Sequence, residues 1–173
     1  MNRPFRACLT AAAAVLAGAG LAQGCTDLGA APTVECPSFE EFRTVSPLLE
    51  QRCGTLDCHG NTARPLRLYG QYGLRYAPDG DEELFSGNLA APTTDLEIER
   101  NYFSVCGIEP EKMEMVTSGA EPADTLTLVR KPRLTEKHKG GRIWNEGKPE
   151  DRCLVSWIEG DFNPQDCARA LAP

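Results

Sequence analysis

Eight of the 173 residues are cysteines, and their placement limits what this chain can become. Cys8 lies in an N-terminal stretch with the layout of an export leader. Arg3 and Arg6 precede an apolar run, residues 7–21, rich in Ala and Leu. The run is shorter than the roughly 20 residues that a membrane-crossing helix needs. It ends at "LAQGC", where Ala22 and Gly24 are small residues flanking one position, so residues 1–24 read as a signal peptide. Export brings the chain into oxidising surroundings, where cysteines are consumed in pairs. Cys8 leaves with the leader, and Cys25 is the first residue after the cut. Six remain: Cys36, Cys53, Cys58, Cys106, Cys153 and Cys167. That even number suits a stapled exported domain.

The junction at Cys25 resembles the bacterial lipoprotein signal, in which the cysteine after the cut carries lipid. An ordinary signal cut at the same bond is the alternative. The resemblance implies a lipid anchor on Cys25 and an envelope location, facing the periplasm or the surface. Residues 25–37 are small, polar and Pro-containing, the composition of a tether. Residues 38–173 are left for one domain with a modest core. Without the leader the chain carries 16 Lys and Arg against 25 Asp and Glu, a net charge of −9. An acidic chain of this kind gives no footprint for nucleic acid.

The expected domain is mostly helical with long loops. Ser38 and Glu41 form a capping-box pattern that starts a helix near Phe39. Pro47 is expected to interrupt it, with Ser46 and Pro47 serving as a fresh cap and first residue. Residues 60–92 are rich in Gly, Pro and Tyr and read as loop. Thr94 and Glu97 form a second capping box, with Leu96, Tyr102 and Phe103 on one apolar side. A short helix is expected from Pro122 to just before Pro132. A final one runs from Pro149 to Gly160, with Cys153, Leu154, Trp157 and Ile158 on one face. No stretch alternates convincingly with a period of two.

The chemistry centres on "CGTLDCHG", residues 53–60. Two thiols followed at once by a histidine are what covalent haem attachment requires. The thiols add to the two vinyl groups, and the imidazole reaches the iron from one face. The usual spacing is C-x-x-C-H; Cys53, Cys58 and His59 give C-x4-C-H, which serves if "GTLD" bulges away from the ring. The chain has only two histidines, and His138 is available for the opposite face. Gly140 and Gly141 beside it allow close backbone approach to a flat group. Met113 and Met115 compete with His138 as ligands. Two other readings stay open. Cys53 and Cys58 could join in a local disulfide, or Cys53, Cys58, His59 and His138 could form a Cys2His2 zinc set. Arg64, Arg67 and Arg75, interleaved with Tyr69, Tyr72 and Tyr76, could pair with haem propionates or simply turn a surface loop. The basic stretch of Arg130, Lys131, Arg133, Lys137, Lys139 and Arg142 could do the same, or dock an anionic partner. The acidic run at residues 78–83 lacks the spaced oxygens of a calcium loop. No catalytic dyad is visible, so no enzyme is expected.

The order of helix, attachment motif, loops, distal ligand and aromatic C-terminal helix resembles class I c-type cytochrome domains, over roughly residues 38–162. It also looks like cytochrome-like bacterial lipoproteins. The resemblance implies a cytochrome c-like helical fold carrying one haem c. Cys53 and Cys58 would be thioether sites, and His59 and His138 the axial ligands. The implied work is electron transfer with a redox partner protein at the membrane surface. The alternative is a haem-free, disulfide-stapled envelope lipoprotein with a binding or structural role. Of the remaining cysteines, Cys153 with Cys167 and Cys36 with Cys106 are the favoured pairs.

Overall fold

The computed structural model describes residues 34–76 and 91–172, and the described residues belong to one compact unit, 34–173. The signal peptide, Cys25 with most of the tether, and the acidic run at 78–83 lie outside the described residues. Among the described residues there are six α-helices and no strand: α1 Phe39–Arg52, α2 Asp95–Cys106, α3 Pro110–Thr117, α4 Thr127–Arg133, α5 Pro149–Glu159 and α6 Pro164–Ala170. A 3-10 turn, Ala123–Thr125, precedes α4. None of these helices is long and apolar enough to cross a membrane.

Helix α1 begins where the capping signal puts it, with the Ser38 hydroxyl accepting the Glu41 N–H at 3.3 Å. It does not stop at Pro47, contrary to the expectation from sequence. Proline removes one backbone donor from the helix ladder, a loss typically worth about 3 kcal/mol in an interior position. Burial of Phe42, Val45, Leu48 and Leu49, on both sides of the proline, outweighs it. Ser46 is inside the helix rather than at a new cap. Its hydroxyl donates to Glu50 Oε1 at 2.7 Å.

Helix α2 carries the full reciprocal box between Thr94 and Glu97. Its buried face is not the expected one, since Phe103 is 57% exposed and the interior positions are Glu97, Asn101 and Val105. The polar pair is buried because it clamps the loop before it. Asn101 accepts the Tyr69 N–H at 2.6 Å and donates to the Tyr69 carbonyl at 2.8 Å. Glu97 takes two hydrogen bonds from Arg75, at 2.8 and 2.9 Å, and the Tyr76 N–H at 3.0 Å.

The segment expected to form one helix from Pro122 is split, with Leu126 extended between the 3-10 turn and α4. Pro132 lies in the last turn of α4 instead of beyond it. The helix closes at Leu134, a non-glycine residue at φ 60°. Helices α5 and α6 form a hairpin bonded through Cys153 and Cys167, which are 14 residues apart. The Trp157 indole donates to the Ser38 carbonyl at 2.9 Å, and its ring sits 5.0 Å from that of Phe42. This packs α5 against the start of α1 and forms the centre of the core. Cys36 is bonded to Cys106 at the end of α2, so the last residues of the expected tether belong to the domain. Both pairings are the ones favoured from sequence.

Candidate functional site

Cys53 is the residue on which α1 ends. Beyond it the chain folds back on itself. The Cys58 and Gly60 N–H groups both donate to the Thr55 carbonyl at 2.9 Å, and the His59 N–H donates to the Cys53 carbonyl at 2.8 Å. The four spacer residues are thus taken up in a tight turn, with Leu56 and Asp57 pointing to solvent. Three glycines make this possible. A Cβ on Gly60 would stand 2.1 Å from the Gly54 carbonyl oxygen, and one on Gly73 would stand 2.0 Å from it. Only bare backbone fits where these three strands of loop meet.

The turn places His59 opposite His138. The two imidazoles are nearly parallel, 11° apart, with ring centroids separated by 6.3 Å. A metal–imidazole bond is about 2 Å, and each nitrogen lies roughly 1 Å from its ring centre. Two imidazoles trans on one metal therefore have centroids about 6 Å apart. Each ring is also fixed from behind. His59 Nδ1 bonds the Leu66 carbonyl at 3.0 Å, and His138 Nδ1 bonds the Gly141 carbonyl at 2.8 Å. A carbonyl accepts only, so Nδ1 carries the proton and Nε2 keeps a lone pair, the tautomer a metal ligand needs. Burial, chiefly, holds the His59 pKa below the ordinary histidine value. The imidazole is neutral near pH 7.

The cysteines sort themselves. Four are bonded in pairs, while Cys53 and Cys58 are free, the first buried and the second half-buried. The local Cys53–Cys58 disulfide considered from sequence is not formed. Burial pushes the Cys53 thiol up to about 12, with Cys58 nearby as a smaller cause. As the protein stands, Cys53 is therefore a protonated thiol near neutral pH. Among the described residues no three His, Cys, Asp or Glu side chains cluster to hold an ion, so the Cys2His2 zinc arrangement is not assembled. Adjacent residues such as Cys58 and His59 converge poorly on one tetrahedral ion.

A cleft runs between the histidines. Its inner part is a cavity of about 160 Å³ walled by Leu49, Cys53, Leu66, Ile108, Leu128 and Pro132. Its outer part is wider, about 640 Å³, and basic: Arg64, Lys131, Lys137 and Lys139 stand around Cys58. His59 and His138 line both parts. Of the three loop arginines, only Arg64 reaches this rim, where it also donates to the Cys58 carbonyl at 3.2 Å. Arg67 bonds the Thr62 carbonyl, and Arg75 is committed to Glu97. In the basic stretch, Arg130 pairs with Glu136, Arg133 is buried against Asp151, and Arg142 bonds Asn145. Met113 is buried in the core and Met115 is exposed, and neither lines the cleft.

Sequence reasoning missed the cleft's walls and both Nδ1 acceptors. Leu66 and Gly141 contribute a backbone carbonyl, which every residue has, so no residue-type signal marks them. Pro132 was read only as a helix stop. Compared with known proteins, the chain matches no family model, no curated protein and no solved structure.

Proposed function

We propose that this protein is an electron-transfer protein carrying one haem c in the cleft between His59 and His138. The observation that carries the reading is the opposed imidazole pair: 6.3 Å between centroids, nearly parallel, each with Nδ1 bound to a carbonyl. The centroid spacing matches that of two imidazoles held by one metal. The rest of the cleft suits the same group. Its inner walls are apolar, as the faces of a porphyrin need, and its outer rim holds the cations that propionates need. Cys53 and Cys58 are the two described cysteines left unbonded in a chain whose other described cysteines are paired.

In this reading, Cys53 and Cys58 would hold the group covalently, each thiol adding S–H across one vinyl C=C with its proton passing to the neighbouring carbon. No oxidant is consumed. The bound haem supplies a single-electron couple at iron. His59 and His138 would both hold the iron, which would leave no open position for a substrate, and so electron transfer rather than catalysis is the proposed work. Leu66 and Gly141 keep the two Nε2 atoms available. The apolar side chains of the inner wall would lower the local polarity and so help set the potential. Export and a lipid anchor at Cys25 would place the protein in the bacterial envelope, next to a redox partner.

The test is an absorption spectrum of protein exported from a host able to mature c-type cytochromes, oxidised and dithionite-reduced, followed by acid–acetone extraction. Sharp reduced bands that resist extraction support covalent haem. Loss of that resistance is expected on replacing Cys53 and Cys58 together. A colourless protein from a competent host overturns the reading in favour of a haem-free stapled lipoprotein.

A further inference from the structure

The mouth of the cleft carries a charge opposite to that of the chain. Beyond residue 24 the net charge is −9, yet four cations stand around the outer part of the cleft against one acid, Asp57. Elsewhere in the fold cations are matched: Arg43, Arg75, Arg133 and Arg152 each meet a carboxylate at 2.6 to 2.8 Å. At the mouth Lys131 meets Glu136 at 3.5 Å. Among the described residues, Arg64, Lys137 and Lys139 meet no carboxylate, and all three are exposed. A haem carries two propionates, so even a filled cleft leaves cations unmatched.

Two exposed leucines flank these cations. Leu56 lies in the attachment turn, next to Asp57, and is 41% exposed. Leu134 closes α4, between Lys131 and Lys137 in the chain, and is 42% exposed. Its backbone is left-handed, at φ 60° and ψ 26°, the one such non-glycine residue among the described residues. Glycine fills that capping position at least cost, because it has no Cβ to crowd the backbone. A leucine there is strained, and much of its side chain stands in water. Neither burden helps the fold.

We infer that the mouth of the cleft docks an acidic protein surface, whose carboxylates meet Arg64, Lys137 and Lys139 and whose apolar groups cover Leu56 and Leu134. Shape decides between the two anionic surfaces that an envelope protein meets. The cations ring a hollow of about 640 Å³, which a protruding side chain enters and a flat lipid surface does not. Opposite charge speeds encounter and fixes orientation, while the acidic remainder of the chain repels the same partner and so confines it to the mouth. This gives the redox partner of the proposed function its chemistry, but it rests on side chains of this chain and not on the haem.

The experiment measures binding of the full exported chain to an immobilised copolymer of glutamate and tyrosine, which offers carboxylates and apolar rings, over a series of salt concentrations. Binding that weakens as salt rises is expected. Lys137→Glu with Lys139→Glu is expected to weaken it about tenfold. Arg100→Glu with Lys148→Glu makes the same change of charge at exposed residues that line neither part of the cleft, and should leave binding within about twofold of wild type. Leu134→Gly should weaken binding about threefold with no loss of stability in urea, since it removes contact area and relieves the backbone. Vesicles of phosphatidylcholine, with and without phosphatidylglycerol, are the second probe. A lipid anchor inserts into both, so only the difference between them reports on charge, and no difference is expected. No binding to the copolymer, an equal loss in the two charge-reversed pairs, or a gain from phosphatidylglycerol that the Lys137 and Lys139 replacements remove would overturn the inference. A colourless protein that binds the copolymer overturns the haem reading and leaves this one standing.

Discussion

Removing the bond between Cys36 and Cys106 gives the largest predicted change from a surface-neutral substitution. The two residues are 70 apart in sequence. In the chain-entropy account, a cross-link closing a loop of n residues lowers the entropy of the unfolded chain by about 2.1 + 1.5R ln n cal/mol/K. For this loop the stabilisation at 25 °C is about 4.4 kcal/mol. The Cys153–Cys167 bond closes only 14 residues and gives about 3 kcal/mol. The double variant Cys36→Ala with Cys106→Ala should therefore lose about 1.4 kcal/mol more than Cys153→Ala with Cys167→Ala, close to a tenfold difference in the unfolding constant. Against a typical total of 5–15 kcal/mol, the first loss leaves a marginal domain. Urea unfolding followed by tryptophan fluorescence measures both, since Trp157 is buried in the core. A loss below about 1 kcal/mol for the long loop, or the reverse order, would refute the reasoning. Either result would mean that the unfolded chain is already held together by other means, or that the short bond does its work in the folded state.

Three further predictions concern particular side chains. Gly60→Ala forces a carbon to within 2.1 Å of the Gly54 carbonyl, and backbone on both sides cannot yield cheaply; a loss of roughly 1–3 kcal/mol should accompany a drop in haem incorporation measured on the purified protein. Asn101→Ala strands the Tyr69 N–H and carbonyl in a half-buried position, which should cost about 1–3 kcal/mol by chemical denaturation. Glu50 sets a pH dependence. Its folded pKa lies above the ordinary value of 4.5, so between the two the folded state holds more protons than the unfolded one. Stability therefore falls as pH rises through that window, and thermal melts of Glu50→Gln should show no such decline there.

Helix α5 was legible because every local signal agrees: Pro149 at the start, one apolar face, and Gly160 at φ 80° at the end. The two caps at Ser38 and Thr94 were legible for the same reason. The prolines misled, since a break rule concerns the backbone alone, and the packing of Phe42, Leu48 and Leu49 reverses it at Pro47. Helix α2 misled in the opposite way. Its interior face is chosen by the loop it clamps, so Glu97 and Asn101 go in and Phe103 stays out, which no hydropathy pattern records. Helices α3 and α6, of 8 and 7 residues, are too short to show a period. In the site, residue types marked Cys53, Cys58, His59 and His138, because the chain has only two histidines and one of them directly follows a cysteine pair. They could not show that a turn of Thr55–Cys58 and three touching glycines bring His59 in front of His138. That depends on contacts between segments about 80 residues apart.

Whether one iron is held between His59 and His138 is decided by low-temperature electron paramagnetic resonance of the oxidised, haem-loaded protein. Imidazole planes 11° apart predict a low-spin rhombic spectrum with three resolved features. Replacing His138 with Ala should abolish it and leave a high-spin signal. A colourless protein, or a spectrum that the His138 replacement leaves unchanged, would mean that His138 holds no iron.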